Sequence, residues 1–417
     1  MRSRRRGAEA QGRIFLATCL VLLGCNAPMR PRADAPEVDS AGITIIASAA
    51  PVWAEGRGWF VADSPIVDIT AIGSPDAALR LSDGRIVVAD GRADELRYFG
   101  TDGRMLYAVG GAGDGPAALR SIYHLDLGKA DTVAVYDLVR RRVMLFDPNG
   151  ALARTIPIAE GLTPPGSNGF LPRGLAPDGR YLLQRDEVDF PFTGAPGSLL
   201  TDSTRLFWVS REGALTDSSA RLMATELFGF DLRAGPDRKV TTPLARPFAP
   251  SLRVAPGPEL VWAGDGAAWE VWGWGADGKV SRILRLPLER PLLTSVFRDT
   301  FIARYREQVA GAGPSTLPAQ FAAGIESTPF PTHLPAFAQL MAGEDSTLWV
   351  QHAGLSEGVP GDASQLWTVF DPAGRWSGDV TMPSRFHPTA VGRGWILGLQ
   401  PDAVGALRVR LYPLVER

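Results

Sequence analysis

The sequence predicts an all-β chain, a six-bladed β-propeller, and three observations point to it. A unit of short apolar strands joined by Asp-Gly or Asn-Gly turns recurs along the chain, most clearly over residues 80–110 and more loosely over residues 131–158. The 46 glycines and 34 prolines supply the turns that many short strands require. The last unit lacks an outer strand, and an unassigned strand precedes the first unit. Four short strands in a repeat of about 45 residues describe one propeller blade.

The first two blades show the pattern best. Alternation and turn signals place blade one over residues 77–110 and blade two over residues 121–158. The expected strands of blade one are residues 78–81, 85–90, 95–99 and 105–109. The plainest strands of blade two are residues 133–136 and 142–146.

Blades three to five follow the pattern less regularly. Blade three begins near Phe170, is interrupted by a long loop over residues 188–203, and resumes at Thr204 with an outer edge that the pattern does not define. Blade four covers about residues 248–287, and blade five begins at about Pro335. In blade four, alternation places Trp272 and Trp274 on one face and Trp269 on the other, which favours packing between blades over a ligand platform.

Blade six begins at Phe386 and has three strands of its own. The segment over residues 66–73 has the form of an outer strand and lies just before blade one. We expect it to complete blade six, because that pairing closes the ring and removes a free sheet edge.

One segment has helical rather than β periodicity. Over residues 294–309 a Thr-Ser cap precedes an apolar stripe at helical spacing. The stripe consists of Phe297, Phe301, Ile302, Tyr305 and Val309. It predicts an insert over about residues 290–326. The insert begins with this helix, and a return loop rich in Pro and Gly follows the helix. We expect the stripe to pack on blades four and five, and a partner's surface is the alternative.

The first 24 residues form a predicted export signal. Five arginines precede an apolar stretch over residues 14–24, which has the length of a signal-peptide core and is too short to span a bilayer. The Leu-Leu-Gly-Cys sequence that ends at Cys25 resembles the lipobox of bacterial lipoproteins. The resemblance implies an acylated Cys25 that anchors the protein to a membrane, and Asn26 in the next position favours the outer membrane. An ordinary signal peptide cleaved nearby is the alternative.

The remaining chain divides into a flexible tether and lead-in over residues 25–60 and the propeller over residues 61–417. Removal of residues 1–24 leaves 38 basic and 44 acidic residues, a formal charge of −6, which argues against a nucleic-acid partner. The two cysteines are Cys19, inside the signal, and Cys25, so the mature chain has no disulfide and no thiolate metal cluster.

The first two blades resemble the NHL-type six-bladed propellers found among bacterial lipoproteins. The segments that carry the resemblance are SDGRIVVADGRADELRYFGTDG and GGAGDGPAAL, and it extends over residues 66–415. GDGPAAL departs from the Gly-Pro-Gly-Glu-Phe ending common in such repeats. The resemblance implies the fold more than the function, because propellers serve as binding modules, scaffolds, lyases and lactonases.

The resemblance also indicates where a site would lie. In NHL-like rings the loop between the second and third strands of each blade opens on one face around the central channel. The residues on those loops are Asp90, Asp137, Asp186 or Glu187, Asp265 and His352, and His124 lies on an innermost strand. Such a set could hold a divalent metal, calcium through oxygen ligands or zinc through His. The alternative is that each strand-terminal Asp bonds to its own turn, and we therefore predict no cofactor.

Two enzyme classes among related propellers have weak support in the sequence. Gluconolactonase-like propellers hold calcium through Glu, Asn and Asp, but the asparagines here, Asn26, Asn149 and Asn168, do not fall on an inner strand. No G-x-S-x-G nucleophile motif is present. We therefore predict a non-catalytic binding or scaffolding module, whose channel mouth and blade-three loop meet a protein, peptide or glycan. The alternative is a metal-assisted lyase or lactonase.

Overall fold

The computed structural model describes residues 37–70, 72–158, 170–186, 192, 194–235, 238–310, 316–354 and 365–417. In these ranges the chain forms strands in six sheets together with two α-helices. The first half contains β1 (Glu37–Ser40), β2 (Ile43–Ala47), β3 (Trp59–Val61), β4 (Val67–Ile69), β5 (Pro75–Arg80), β6 (Ile86–Asp90), β7 (Glu95–Phe99), β8 (Met105–Gly110), β9 (Ile122–Leu127), β10 (Val133–Asp137), β11 (Arg142–Phe146), β12 (Leu152–Pro157), β13 (Leu171–Leu175), β14 (Tyr181–Asp186), β15 (Leu199–Val209), β16 (Leu215–Ser218), β17 (Leu222–Arg233) and β18 (Lys239–Ala245).

The second half contains β19 (Arg253–Pro256), β20 (Val261–Gly264), β21 (Glu270–Trp274), β22 (Val280–Arg285), α1 (Ser295–Ala310), α2 (Thr316–Ser327), β23 (Phe337–Ala342), β24 (Leu348–His352), β25 (Leu366–Phe370), β26 (Trp376–Thr381), β27 (His387–Gly392), β28 (Trp395–Pro401) and β29 (Leu407–Glu416). Neither α-helix is long and apolar enough to cross a membrane, and the only other helical segment in the described residues is a short 3-10 helix over Lys129–Asp131.

The sheets follow the chain in order. The first sheet is β5–β8, the second β9–β12, the third β13–β18, the fourth β19–β22 with β1 and β2, the fifth β23–β26, and the sixth β27–β29 with β3 and β4. Neighbouring strands pair antiparallel, with the exception of β2 and β22, which run parallel. This is the architecture of a β-propeller.

Each sheet packs face to face on the next, which explains the apolar strands of the repeat. In β6, Ile86 and Val88 lie in the core between the first and sixth sheets, whereas Val87 and Ala89 lie in the core between the first and second sheets. Successive side chains of a strand point to opposite faces. A central strand packed on both faces is therefore apolar throughout, and all five residues of β6 are buried.

The same packing accounts for the tryptophans of the fourth sheet. Trp272 and Trp274 pack in the core between the third and fourth sheets, and Trp269 packs in the core between the fourth and fifth. The predicted alternation of these side chains is confirmed, and all three lie between sheets.

The segment assigned to a tether and lead-in is partly built into the fold. β2 pairs with β22 at the outer edge of the fourth sheet, with Ile45 opposite Ile283. Farther along, the N–H groups of Val52 and Trp53 donate to carbonyls of β26 in the fifth sheet. β3 and β4 then pair with β29 in the sixth sheet. Residues from Glu37 onward are thus ordered on three consecutive sheets, because apolar side chains such as Ile46 are buried there.

The third sheet differs from the sequence prediction. Residues 199–203 were expected in a long loop, but they form the first part of β15 and pair with β17. β17 in turn pairs with β18, so this sheet extends beyond a four-stranded blade. Residues 188–191 and 193 of the predicted loop lie outside the described residues.

The helical insert contains one predicted and one unexpected helix. Thr294 Oγ1 accepts the N–H of Phe297 at 3.2 Å, as the predicted cap requires. The predicted return loop instead contains α2, in which Pro318 falls in the first turn, where proline is tolerated.

The insert packs on the chain itself. The Phe297 and Phe301 rings of α1 lie 5.0 and 4.8 Å from the Phe248 ring, just before the fourth sheet. The Phe321 ring of α2 lies 5.3 Å from Phe230 of β17. Phe297 also shares a buried cluster with Ala338 of the fifth sheet.

Candidate functional site

The innermost strands of the six sheets, β5, β9, β13, β19, β23 and β27, line a central channel with two mouths. The upper mouth lies where these strands begin and is a cavity of about 360 Å³. The lower mouth lies where they end and is a cavity of about 670 Å³. Charged and titratable side chains at the upper mouth are Asp76, Tyr123, His124 and Arg173, and charged side chains at the lower mouth are Lys129, Asp131, Arg154, Asp178, Arg211 and Glu344.

The two cavities meet at a waist made by five residues. These are Leu79, Asp126, Pro256, Ala342 and Thr389, each of which lines both cavities. Asp126 is the one ionisable residue among them. A ligand entering from either side would therefore meet this carboxylate.

The backbone of two adjacent sheets holds the Asp126 side chain. Its Oδ1 accepts the N–H of Leu127 at 2.9 Å, and its Oδ2 accepts the N–H of Leu175 in β13. Gly174 permits this contact, since a Cβ there would lie 2.4 Å from Oδ2 and the residue has a φ of +121°. Burial raises the pKa of Asp126 to about 6, against the lowering effect of both hydrogen bonds.

His124 lies two residues before Asp126 on β9, so the two side chains share one side of the strand. Burial lowers the pKa of His124 to about 4, and the positive charge of Arg173 lowers it further. Arg173 Nε donates to Gln184 Oε1 at 2.8 Å. Near neutral pH the upper mouth therefore presents a neutral imidazole beside a guanidinium.

The lower mouth is shaped by the turn between β9 and β10. Ala130 and Asp131 both have positive φ, 54° and 55°, which is uncommon for residues other than glycine. The Asp131 carboxylate accepts the backbone N–H of Ser82 at 3.0 Å and its hydroxyl at 2.6 Å, which joins the turns of the first two sheets. Desolvation raises the pKa of Glu344 despite nearby Arg80, and the charge of Asp131 raises it further.

Two of the aspartates predicted from the sequence are bound in turns. Asp90 is 1% exposed, accepts the N–H of Arg92 at 3.1 Å and forms an ion pair with Arg97 at 2.9 Å. Asp137 is fully buried and accepts the N–H of Arg140 at 3.1 Å. Each therefore has the contacts that the structural alternative predicts.

The other predicted residues have separate local contacts of their own. Asp265 accepts the N–H of Ala267 at 2.8 Å in its own turn. His352 Nε2 lies 2.8 Å from Thr368 Oγ1, and its ring packs against Trp269. The side chain of Asp186, and the whole of its alternative Glu187, lie outside the described residues.

Of the predicted residues whose side chains the structure describes, His124 is the one that lines the channel. Ligand binding by the remaining residues stays a prediction. Within the described ranges, no group of three or more His, Cys, Asp or Glu side chains is arranged to hold a metal ion.

Asp126, the ionisable residue at the waist, was not among the predicted site residues. The alternation of the strand predicts its position from that of His124, since residues i and i+2 of a strand share a face. The lower mouth was not predicted either, because the predicted site residues lie mainly on turns between second and third strands, whereas this cavity is lined by turns between first and second strands.

No protein-family model and no curated protein sequence matches the chain. Among solved structures, a Bacteroides fragilis protein described provisionally as exported is 8% identical, over 89% of this chain and 99% of its own, with a TM-score of 0.45. Virginiamycin B lyase from Staphylococcus aureus is 10% identical over 83% of this chain and 87% of its own, with a TM-score of 0.37. A protein provisionally named as a gluconolactonase is 14% identical over 89% and 98%, with a TM-score of 0.40. Similarity this low assigns no activity.

Proposed function

We propose that the protein is an exported, lipid-anchored, six-bladed β-propeller of the NHL-like kind that binds a small polar ligand in its central channel without catalysing a reaction. The observation that carries the proposal is the pair of cavities, about 360 and 670 Å³, which meet at the Asp126 carboxylate. Ligand sites are concave and mostly apolar, with a few polar groups that fix orientation.

Two observations support a closed ring of six blades. Six buried clusters each join consecutive sheets, and one of them joins the sixth sheet to the first. The N-terminal strand β4 also pairs with β29, with Val67 opposite Leu411. A ring closed in this way holds the channel walls rigidly, which favours ligand binding.

Export and anchoring are supported by the N-terminal sequence. Residues 1–24 have the form of a signal peptide, Cys25 ends the lipobox-like sequence, and Asn26 favours the outer membrane. The proposed location is therefore the periplasmic or outer surface of the cell, with the lipid on Cys25 as the attachment to the membrane.

The alternative function, a metal-assisted lyase or lactonase, needs a set of metal ligands. The strand-terminal aspartates Asp90 and Asp137 already use their oxygens on turn N–H groups and arginines. We therefore derive no metal-dependent step. A stoichiometric divalent ion in purified protein, lost in Asp137→Asn, would favour the alternative.

The binding proposal is tested by closing the waist. In Ala342→Trp the indole would fill the space that joins both cavities, whereas Ala303→Trp places the same side chain on an exposed position of α1. Ligands detected by native mass spectrometry or an NMR fragment screen should be lost in the first variant and retained in the second. Equal binding in both variants, or no binding by the wild type, would contradict the proposal.

A further inference from the structure

The Asp126 carboxylate has no cationic partner within the part of the chain that the structure describes. Its hydrogen bonds are to the backbone N–H groups of Leu127 and Leu175, and no ion pair joins it to a Lys or Arg. The Asp126 residue is half-buried, so its carboxylate has lost part of its hydration and has no counter-ion in its place. A bound cation would stabilise the charged form.

The walls beside the carboxylate indicate what kind of cation fits. Leu79, Pro256 and Ala342 present apolar surface at the waist, and Thr389 presents a hydroxyl that donates to the Ala78 carbonyl at 2.8 Å. Because that hydroxyl donates its proton to the Ala78 carbonyl, it can take part in a further hydrogen bond only as an acceptor. The waist thus offers acceptors for N–H groups and apolar surface for a hydrocarbon stem.

We propose that the channel waist binds the ammonium group of a primary amine, with Asp126 as its counter-ion and the apolar waist residues around its alkyl stem. The proposal rests on the proposed function, since it requires the channel to be the ligand site. It goes further by naming the chemical class of the ligand.

The hydrogen bonds of Asp126 distinguish an ammonium group from a guanidinium group. A guanidinium binds a carboxylate best as a fork, with one N–H on each oxygen. Here each oxygen already accepts one backbone N–H and keeps one lone pair, so a fork must use both of the remaining lone pairs. An ammonium is a compact charge that needs one free lone pair. A divalent metal is less suited, because one monocarboxylate supplies too few of the six to eight ligands that calcium takes.

The charged and neutral groups around Asp126 determine the electrostatic environment of an amine in the channel. His124 on the same strand is neutral near pH 7, Arg173 lies in the neighbouring strand at the upper mouth, and the Tyr181 hydroxyl is buried nearby. At the lower mouth the basic groups are Lys129, Arg154 and Arg211, and the acidic groups are Asp131, Asp178 and Glu344. Two of these groups change their proton occupancy near neutral pH: Asp126, with a pKa of about 6, and Glu344, with a pKa of about 7.

The experiment uses three probes that share one stem: n-butylammonium, n-butylguanidinium and n-butanol, titrated into the detergent-solubilised full protein. We expect butylammonium to bind at least about tenfold more tightly than either other probe. Its affinity should fall as the pH is lowered through about 6, because protonation removes the counter-ion.

Asp126→Asn is the matching variant, since it keeps the shape and one acceptor oxygen, and a thermal melt checks its fold. It should weaken butylammonium binding at least about tenfold and abolish the pH dependence. Asp102→Asn, at an exposed carboxylate outside both cavities, should change affinity less than about twofold. Equal binding of the three probes, or binding unaffected by Asp126→Asn, overturns the proposal.

The ranking of the three probes remains decisive if Asp126→Asn fails to fold, because it does not depend on which channel carboxylate titrates. An anionic or neutral ligand that is lost in Ala342→Trp would overturn the amine inference and leave the proposed function standing. The absence of any channel ligand would overturn both.

Discussion

At the residue scale, burial separates aspartates that both accept a hydrogen bond in a turn. Asp102 lies in the turn after β7 and Asp137 ends β10, and each accepts an N–H of a following residue. Asp102 remains exposed, whereas Asp137 is fully buried and also lies 3.4 Å from Arg142 Nε. The sequence indicates that each of the two aspartates lies at a turn, but it does not indicate how deeply each is buried. Burial depends on which sheet packs over the turn.

The difference leads to a prediction of stability. Asp137→Ala leaves buried N–H groups and arginines without their acceptor and should lower the free energy of unfolding by about 2–3 kcal/mol. Asp102→Ala, the matched exposed site, should cost less than about 1 kcal/mol. Denaturant titration of both variants measures this, and equal costs would show that Asp137 is no more than a turn cap.

Asp126 gives a prediction for the dependence of stability on pH. Its pKa is about 6 in the folded chain, against 3.8 as the ordinary value, so the folded state holds this proton more tightly. The stabilisation that this proton gives to the folded state is therefore fully present below about pH 4 and is lost as the pH rises to about 6. The free energy of unfolding of the wild type, minus that of Asp126→Asn, should fall between pH 4 and 6 and then level off. A difference that rises over this range would contradict the assignment.

At the element scale, the sequence predicted strands where local pattern and tertiary packing agree. The bounds of β7 and β11 match the prediction residue for residue, because their apolar residues alternate between adjacent turn signals. β15 was shortened in the prediction because Thr201, Asp202 and Ser203 have the composition of a loop. Its pairing with β17, a contact between distant segments, overrides that local signal.

The helical insert also contains one helix that local sequence signals predict and one that depends on tertiary contacts. α1 carries a cap and an apolar stripe, both of which are local signals. α2 has a proline in its first turn and follows a glycine-rich stretch, so its sequence favours a loop. Its contacts with β17, through Phe321 and Gln320, come from an element about 90 residues earlier in the chain. The candidate site was likewise found in part: His124 was predicted, but which strands meet at the waist depends on the assembled ring.

The packing of α1 predicts a graded response to truncation. Phe297→Ala, at a residue 6% exposed, should cost about 3–5 kcal/mol, and Phe301→Ala, at a half-buried residue, should cost less. Val296→Ala, one residue from Phe297 and 74% exposed, should be nearly neutral. Thermal and denaturant unfolding measure all three. An unchanged melting temperature for Phe297→Ala, together with loss of a binding partner, would instead identify this face as an interaction surface.

At the scale of the whole molecule, the lead-in determines how far the propeller can lie from its proposed anchor. Because Glu37 already belongs to β1, the connection from Cys25 is 12 residues rather than the 36 of the predicted tether and lead-in. At about 3.3–3.6 Å per residue, a fully extended connection of this length spans at most about 43 Å. With the proposed lipid on Cys25, that length is the upper limit on the distance from the lipid to β1.

The anchor itself is tested by two cysteine variants. In Cys25→Ala the proposed acylation site is lost while the folded residues are unchanged, so the protein should move from the membrane fraction to the soluble extracytoplasmic fraction. Cys19→Ala is the matched control, since Cys19 lies in the predicted signal segment and its substitution should leave the protein in the membrane fraction. Fractionation with labelling by an alkyne fatty acid measures both effects. If the Cys25→Ala protein remains in the membrane fraction, some other part of the chain must hold it there, and the lipid anchor would have to be abandoned.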